Sequence, residues 1–100
     1  MEMKELDYFI AIAEEKSISK AAERLVMAQS SLSQFLSILE NNVGSKLFIR
    51  TSRGVRLTQE GELMLQYAYK TLAEYRSVQN EIKDMKQLKS GRVIMGVSSF

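Results

Sequence analysis

Side chains able to do chemistry fall into two short stretches. In the first, Ser30, Ser33 or Gln34, Ser37 and Asn41 follow steps of three and four, the spacing of one helix face, with Gln29 at its end. All are uncharged hydrogen-bonding residues. A glutamine amide matches the edge of adenine, and a serine hydroxyl can donate to or accept from several bases. In the second, residues 41–58 carry four basic side chains (Lys46, Arg50, Arg53, Arg56) and no acid, whereas residues 1–40 carry four basic residues against seven acids. The net charge is only +2, so this local excess is more informative than the total. Arginine held in a cluster is suited to phosphate oxygens.

Other chemistry is missing. The chain has no His and no Cys, which excludes disulfides, Cys/His zinc sites, thiol nucleophiles and imidazole acid–base catalysis. The serines of Ser30-Ser31-Leu32-Ser33 have no His to activate them and no Lys nearby in sequence. No pair of carboxylates has a spacing that suggests catalysis, and an enzyme is not expected. With 45 % apolar and 26 % charged residues the chain reads as ordinary globular protein. The apolar run Tyr8 to Ala13 is too short to span a membrane and has no basic flank, so a soluble, cytoplasmic protein is expected.

The elements that must position these residues can be read in order. A first helix spans Lys4 to Glu15, with Leu6, Phe9, Ile10 and Ala13 facing a core. Ser19 is expected to cap a second helix carrying Ile18, Ala21, Ala22 and Leu25; its two adjacent alanines imply close helix approach. After the tight Val26-Met27-Ala28 connection, a third helix runs from about Gln29 to Val43. Leu32, Leu36, Leu39 and Val43 point inward, and Gly44 suits its left-handed end. The β-prone runs Lys46 to Arg50 and Val55 to Leu57, around Thr51 to Gly54, predict a hairpin.

Thr58 is a good N-cap for a helix reaching Leu88, about 46 Å at roughly 1.5 Å per residue. Leu65, Ala68, Leu72 and Tyr75 form a stripe that Val78, Ile82 and Met85 continue after a slip. Lys86 and Lys89 complement the helix dipole, and Ser90-Gly91 is expected to end the helix. Arg92 to Val97 is predicted to be one strand. A helix this long cannot bury its stripe on so small a domain, so a partner helix is expected. A lone strand is unstable in water, so the chain is expected to be cut where another domain begins. The expected divisions are residues 1–58, 58–90 and 91–100.

Three helices followed by a basic hairpin predict a mostly α fold, a winged helix-turn-helix with a long added helix, its motif at residues 18–37. In such motifs the second helix of the pair enters the DNA major groove. Gln29, Ser30, Ser33, Gln34 and Ser37 would then read base edges. No Lys or Arg lies between Leu25 and Ser45, so Arg50, Thr51, Arg53 and Arg56, with Lys20, are the candidates for the backbone. Each feature alone has a plainer reading: a solvated helix face, a solubilising hairpin, an internal packing seam. Their joint order favours double-stranded DNA over a module that only pairs with another protein.

The stretch Ile18 to Ser37, with Lys20-Ala-Ala-Glu-Arg-Leu25, Gln29 and Leu32-Ser33, resembles the N-terminal domain of LysR-type transcriptional regulators. So do Leu39-Glu40, Gly44 and the run Leu47-Phe-x-Arg-x-x-Arg-Gly-x-x-Leu-Thr-x-x-Gly61. The resemblance implies a homodimer through the long helix, with residues Leu65, Ala68, Leu72, Tyr75, Val78, Ile82 and Met85 at the seam. It also implies an effector-binding domain beyond this chain that takes a small molecule, with a tetramer possible in the intact protein. Gly91-Arg-Val-Ile-Met-Gly96 resembles the first strand of that domain. No cofactor is expected in residues 1–100. Four positions depart from the family pattern: Ala28 replaces the usual Ser or Thr cap, Ser30 a frequent Pro, Gln34 a common Arg, and Phe35 a polar residue. Phe35 either packs on the hairpin or the long helix, which is favoured, or touches a thymine methyl.

Overall fold

The computed structural model describes residues 1–89. The Ser90-Gly91 stop, the strand expected at Arg92 to Val97 and the division at 91–100 lie outside the described residues. Four helices and one hairpin follow in the order α1 (Met3–Glu15), α2 (Ile18–Leu25), α3 (Gln29–Val43), β1 (Phe48–Thr51), β2 (Gly54–Leu57) and α4 (Gln59–Lys89). They fall into two units, residues 1–70 and a second beginning at Thr71. The first unit takes in the start of α4.

The first unit is organised around α1. Leu6, Phe9, Ile10, Ala11 and Ile12 are all buried, a wider band than one stripe, while Ala13 is only partly covered. α1 packs against both α2 and β2, which explains the breadth. Burying a side chain such as Phe9 or Ile12 stabilises the fold by about 1.5–3 kcal/mol. Ala21 and Ala22 are buried where α2 meets its neighbours, as their small size requires. Leu32, Leu36 and Leu39 form the inner face of α3, whereas Val43 stays exposed. Phe48 and Val55 close the core from the hairpin, the Phe48 ring lying 5.2 Å from that of Phe9.

The helix ends show how the turns are made. The cap of α2 is Ser17, whose hydroxyl accepts from the Lys20 amide at 3.1 Å, and not Ser19. Helix α2 starts earlier than a Ser19 cap would allow, because Ile18 is already needed in the core. Thr58 does cap α4: its hydroxyl accepts from the Gly61 amide at 2.9 Å and donates to the Lys46 carbonyl at 2.7 Å. Gly61 has no room for a side chain, since a Cβ would collide with the Leu47 carbonyl. Gly44 ends α3 in the left-handed region. Val26 ends α2 in that same region at φ 55°, a costly conformation for a β-branched residue.

Candidate nucleic-acid interface

The outer edge of α3 is open. Gln29, Ser30, Gln34, Ser37 and Asn41 are exposed and Ser33 is half-buried. From Gln29 to Leu39 the helix carries no charged side chain. Its N-cap, Ala28, is extended and makes no side-chain bond, so the first turn of α3 is held by backbone alone. The preceding turn presents Val26, 90 % exposed. Phe35 is half-buried and packs against the core, its ring meeting Tyr8 of α1 edge-on at 5.4 Å.

The hairpin pairs Phe48 with Leu57, Ile49 with Arg56, Arg50 with Val55 and Thr51 with Gly54. Side chains alternate across a strand, so this register sorts the arginines. Arg50 shares the inward face with Phe48, Val55 and Leu57, and it lines a cleft together with Ser33, Ser37 and Lys46. Arg56 sits on the opposite face beside Ile49. Arg53 stands in the connecting turn, where its amide donates to the Thr51 hydroxyl at 3.2 Å. Thr51 therefore shapes the turn from the end of β1; its hydroxyl also donates to the Gly54 carbonyl at 3.3 Å. Arg50, Arg53 and Arg56 are exposed, and no ion pair among the described residues involves them. Their charge is free for an external anion.

Three tethers hold the hairpin. The Val55 amide donates to the Lys16 carbonyl at 3.1 Å, and Gly54 lies so close to that oxygen that a Cβ would overlap it. Thr58 ties the end of β2 to the Lys46 and Leu47 carbonyls. The Glu40 carboxylate accepts from the Leu47 amide at 2.7 Å and the Phe48 amide at 3.2 Å. The sequence marks Glu40 only as part of the Leu39-Glu40 pair in the family resemblance and as an acid on the last turns of an otherwise uncharged helix; neither signal points to a tether.

Lys20 lies exposed on α2 and is not among the residues lining the cleft. A second cluster, with no sequence signal, links three helices. Arg24 reaches Glu14 at 2.9 Å and Glu15 at 3.3 Å, while the Tyr69 hydroxyl donates to Glu14. The Tyr69 bond, with Arg24 second, holds the Glu14 carboxyl below the usual carboxylate range, and the same bond pushes the Tyr69 hydroxyl above the usual tyrosine range.

The proposed seam on α4 divides. Leu65 packs against the core of its own chain and Ala68 is fully buried, so these two are already satisfied. Leu72 is buried as well. Tyr75, Val78, Ile82 and Met85 are 47–60 % exposed and recur at steps of 3, 4 and 3, the spacing of a helix-pairing stripe. Among the described residues no helix is long and apolar enough to cross a membrane. No cluster of His, Cys, Asp or Glu suited to a metal ion occurs among them either.

The family model for bacterial regulatory helix-turn-helix proteins of the lysR family matches residues 3–62. The Escherichia coli regulator XapR is 38 % identical over 96 residues, covering 96 % of this chain and 33 % of XapR. The chain thus spans about a third of the length of XapR, and likewise 34 % of the Bacillus subtilis regulator YkuM, to which it is 33 % identical over its whole length. Among solved structures, the BenM DNA-binding domain in complex with catB site 1 DNA is similar at a TM-score of 0.80 and 40 % identity. That match covers 86 % of this chain and 97 % of the BenM chain. The CbnR DNA-binding domain bound to DNA matches at a TM-score of 0.80 and 31 % identity, over 86 % of this chain and 99 % of the other.

Proposed function

Because the chain belongs to the LysR family of bacterial helix-turn-helix regulators, we propose that it binds double-stranded DNA sequence-specifically, as a homodimer. One observation carries this reading: an exposed, uncharged edge of α3 beside a hairpin whose three arginines have no internal partner. Gln29, Ser30, Ser33, Gln34 and Ser37 read base edges in the major groove. Arg50 and Arg53 hold phosphates next to that edge, with Thr51 keeping the turn in shape. Arg56, on the far face, and Lys20, on α2, add weaker backbone attraction. The BenM and CbnR domains were solved with DNA, which supports the same docking here.

Pairing occupies the exposed stripe from Tyr75 to Met85, and Leu65 and Ala68 contribute by fixing α4 to its own core. Two copies then place two reading helices on successive turns of the duplex, about 34 Å apart. By likeness to XapR, of which this chain spans 33 %, a small-molecule response and any tetramer contact would belong to the remainder of such a regulator. The protein acts in the cytoplasm as a transcription regulator, and no catalytic step is assigned to it.

Sedimentation with and without a mixed-sequence duplex at low salt tests the reading. Two chains should travel with each duplex. Chain and duplex sedimenting separately would overturn DNA binding and leave pairing with another protein as the function.

A further inference from the structure

We propose that Glu40 is a positioning residue for DNA recognition: its carboxylate fixes the angle between the reading edge of α3 and the arginine hairpin. The inference rests on the DNA-binding reading above and deepens it. Glu40 lies one turn beyond Ser37 and next to Asn41, on the helix that carries the reading edge. Its side chain is only 10 % exposed. Oε2 accepts from two consecutive amides, Leu47 at 2.7 Å and Phe48 at 3.2 Å, while Oε1 stands 3.7 Å from the Lys46 ammonium. Amide bonds to a charged acceptor are stronger than neutral ones, and sharing one oxygen between neighbouring amides fixes direction as well as distance.

These amides form the root of the hairpin. The carbonyls of Lys46 and Leu47 are held from the other side by Thr58, so the segment before β1 is gripped on both edges. The remaining tether, from Val55 to the Lys16 carbonyl, comes from the α1–α2 connection. Among the described residues, the hydrogen bonds that join α3 to the hairpin are those of Glu40. A hairpin is a lever: Arg53 stands in the turn at the end of β1, about 10 Å from Phe48 at about 3.3 Å per residue over Phe48–Thr51. A tilt of about 10° at the root would move the tip by about 2 Å, enough to break a hydrogen bond.

Electrostatics alone argues against an acid here. A carboxylate between a reading edge and a phosphate-binding arm repels the duplex, so removing it should tighten binding to every sequence. Positioning makes the opposite claim about selectivity. Wild-type chain, E40Q, E40A and E40D are compared on a duplex enriched by wild-type chain from a random-sequence library and on a scrambled one, with affinities counted per folded protein and followed across a salt series. E40Q keeps an oxygen for both amides and should hold the enriched-to-scrambled ratio within about threefold of wild type. E40A, and E40D whose shorter arm falls short of the amides, should lose about tenfold in that ratio, with a salt slope shallower by about 1.

Equal ratios in wild type and E40D would overturn the proposal even if E40A does not fold. So would an E40Q as impaired as E40A, since the charge and not the geometry would then matter. A wild-type chain that cannot separate the two duplexes would overturn the DNA reading and this proposal together.

Discussion

The outer edge of α3 and the hairpin beside it are built to opposite rules. From Gln29 to Leu39 the helix carries amides and hydroxyls and no charge, on a backbone braced by Leu32, Leu36 and Leu39 in the core. The hairpin carries three arginines and no acid, on two four-residue strands anchored by Phe48, Val55 and a few polar tethers. Base reading needs donors placed to within a few tenths of an ångström, which a packed helix supplies. Phosphate attraction is long-ranged and acts on any sequence, while direct phosphate bonds still depend on the angle at which the hairpin is held. The proposed division gives base choice mainly to α3 and sequence-independent affinity mainly to the hairpin.

The largest expected effect tests that separation from the charge side. Replacing Arg50 and Arg53 together with Ala should weaken enriched and scrambled duplexes alike, by about a hundredfold at low salt. The slope of log affinity against log salt should start at about −5 to −7 for the dimer and become shallower by about 0.9 for each phosphate no longer neutralised. A binding titration that showed weakening on the enriched duplex alone would place base reading in the hairpin. From the other side, Gln29→Ala should cost about 1–3 kcal/mol on the preferred duplex and leave scrambled DNA unchanged. Uniform weakening would mean that Gln29 touches only the backbone.

A smaller effect concerns the turn that delivers α3. Val26 occupies the left-handed region while 90 % exposed, a strain of about 1–2 kcal/mol for an L-residue with no compensating burial. Val26→Asn should therefore stabilise the fold by about 1 kcal/mol, seen as a melting midpoint several degrees higher. If the variant melts higher but binds worse, Val26 belongs to the interface and the strain serves recognition.

The smallest effect lies away from both regions, where Tyr69 and Arg24 hold Glu14. Tyr69→Phe should cost less than about 1 kcal/mol, since the cluster is largely exposed. Glu14, lowered in the fold, contributes above the carboxylate range and loses its effect as pH falls through that range. Tyr69, raised in the fold, contributes below the tyrosine range and loses its effect as pH rises through it. The difference between variant and wild type should be widest between about pH 5 and pH 10 and vanish on either side. Chemical denaturation across pH measures it.

Much of the fold is legible in the residues, for identifiable reasons. Helix period and turn chemistry mark α3 from Gln29, its end at Gly44 and the Thr58 cap, because each depends on neighbours within four positions. The α2 cap is Ser17 and not the expected Ser19, because two serines flank Ile18 and only the core decides which one precedes the helix. Packing of Phe35 is foreseeable, but its partner Tyr8 lies far back in the chain. The α4 stripe shows in sequence only a slip between Tyr75 and Val78, yet tertiary contact takes Leu65 and Ala68 inward and leaves Tyr75 to Met85 open. The grip of Glu40 on Leu47 and Phe48 is invisible there for the same reason: it depends on how a turn folds back. Register, not composition, sets Arg50 apart from Arg56.

The most direct test is selection of bound duplexes from a random-sequence library. The enriched sites should be two-fold symmetric, with half-sites one helical turn or a whole multiple of it apart, about 34 Å or its multiples. No enrichment above the starting pool, or a single asymmetric site, would contradict a paired reader built from α3 and its hairpin.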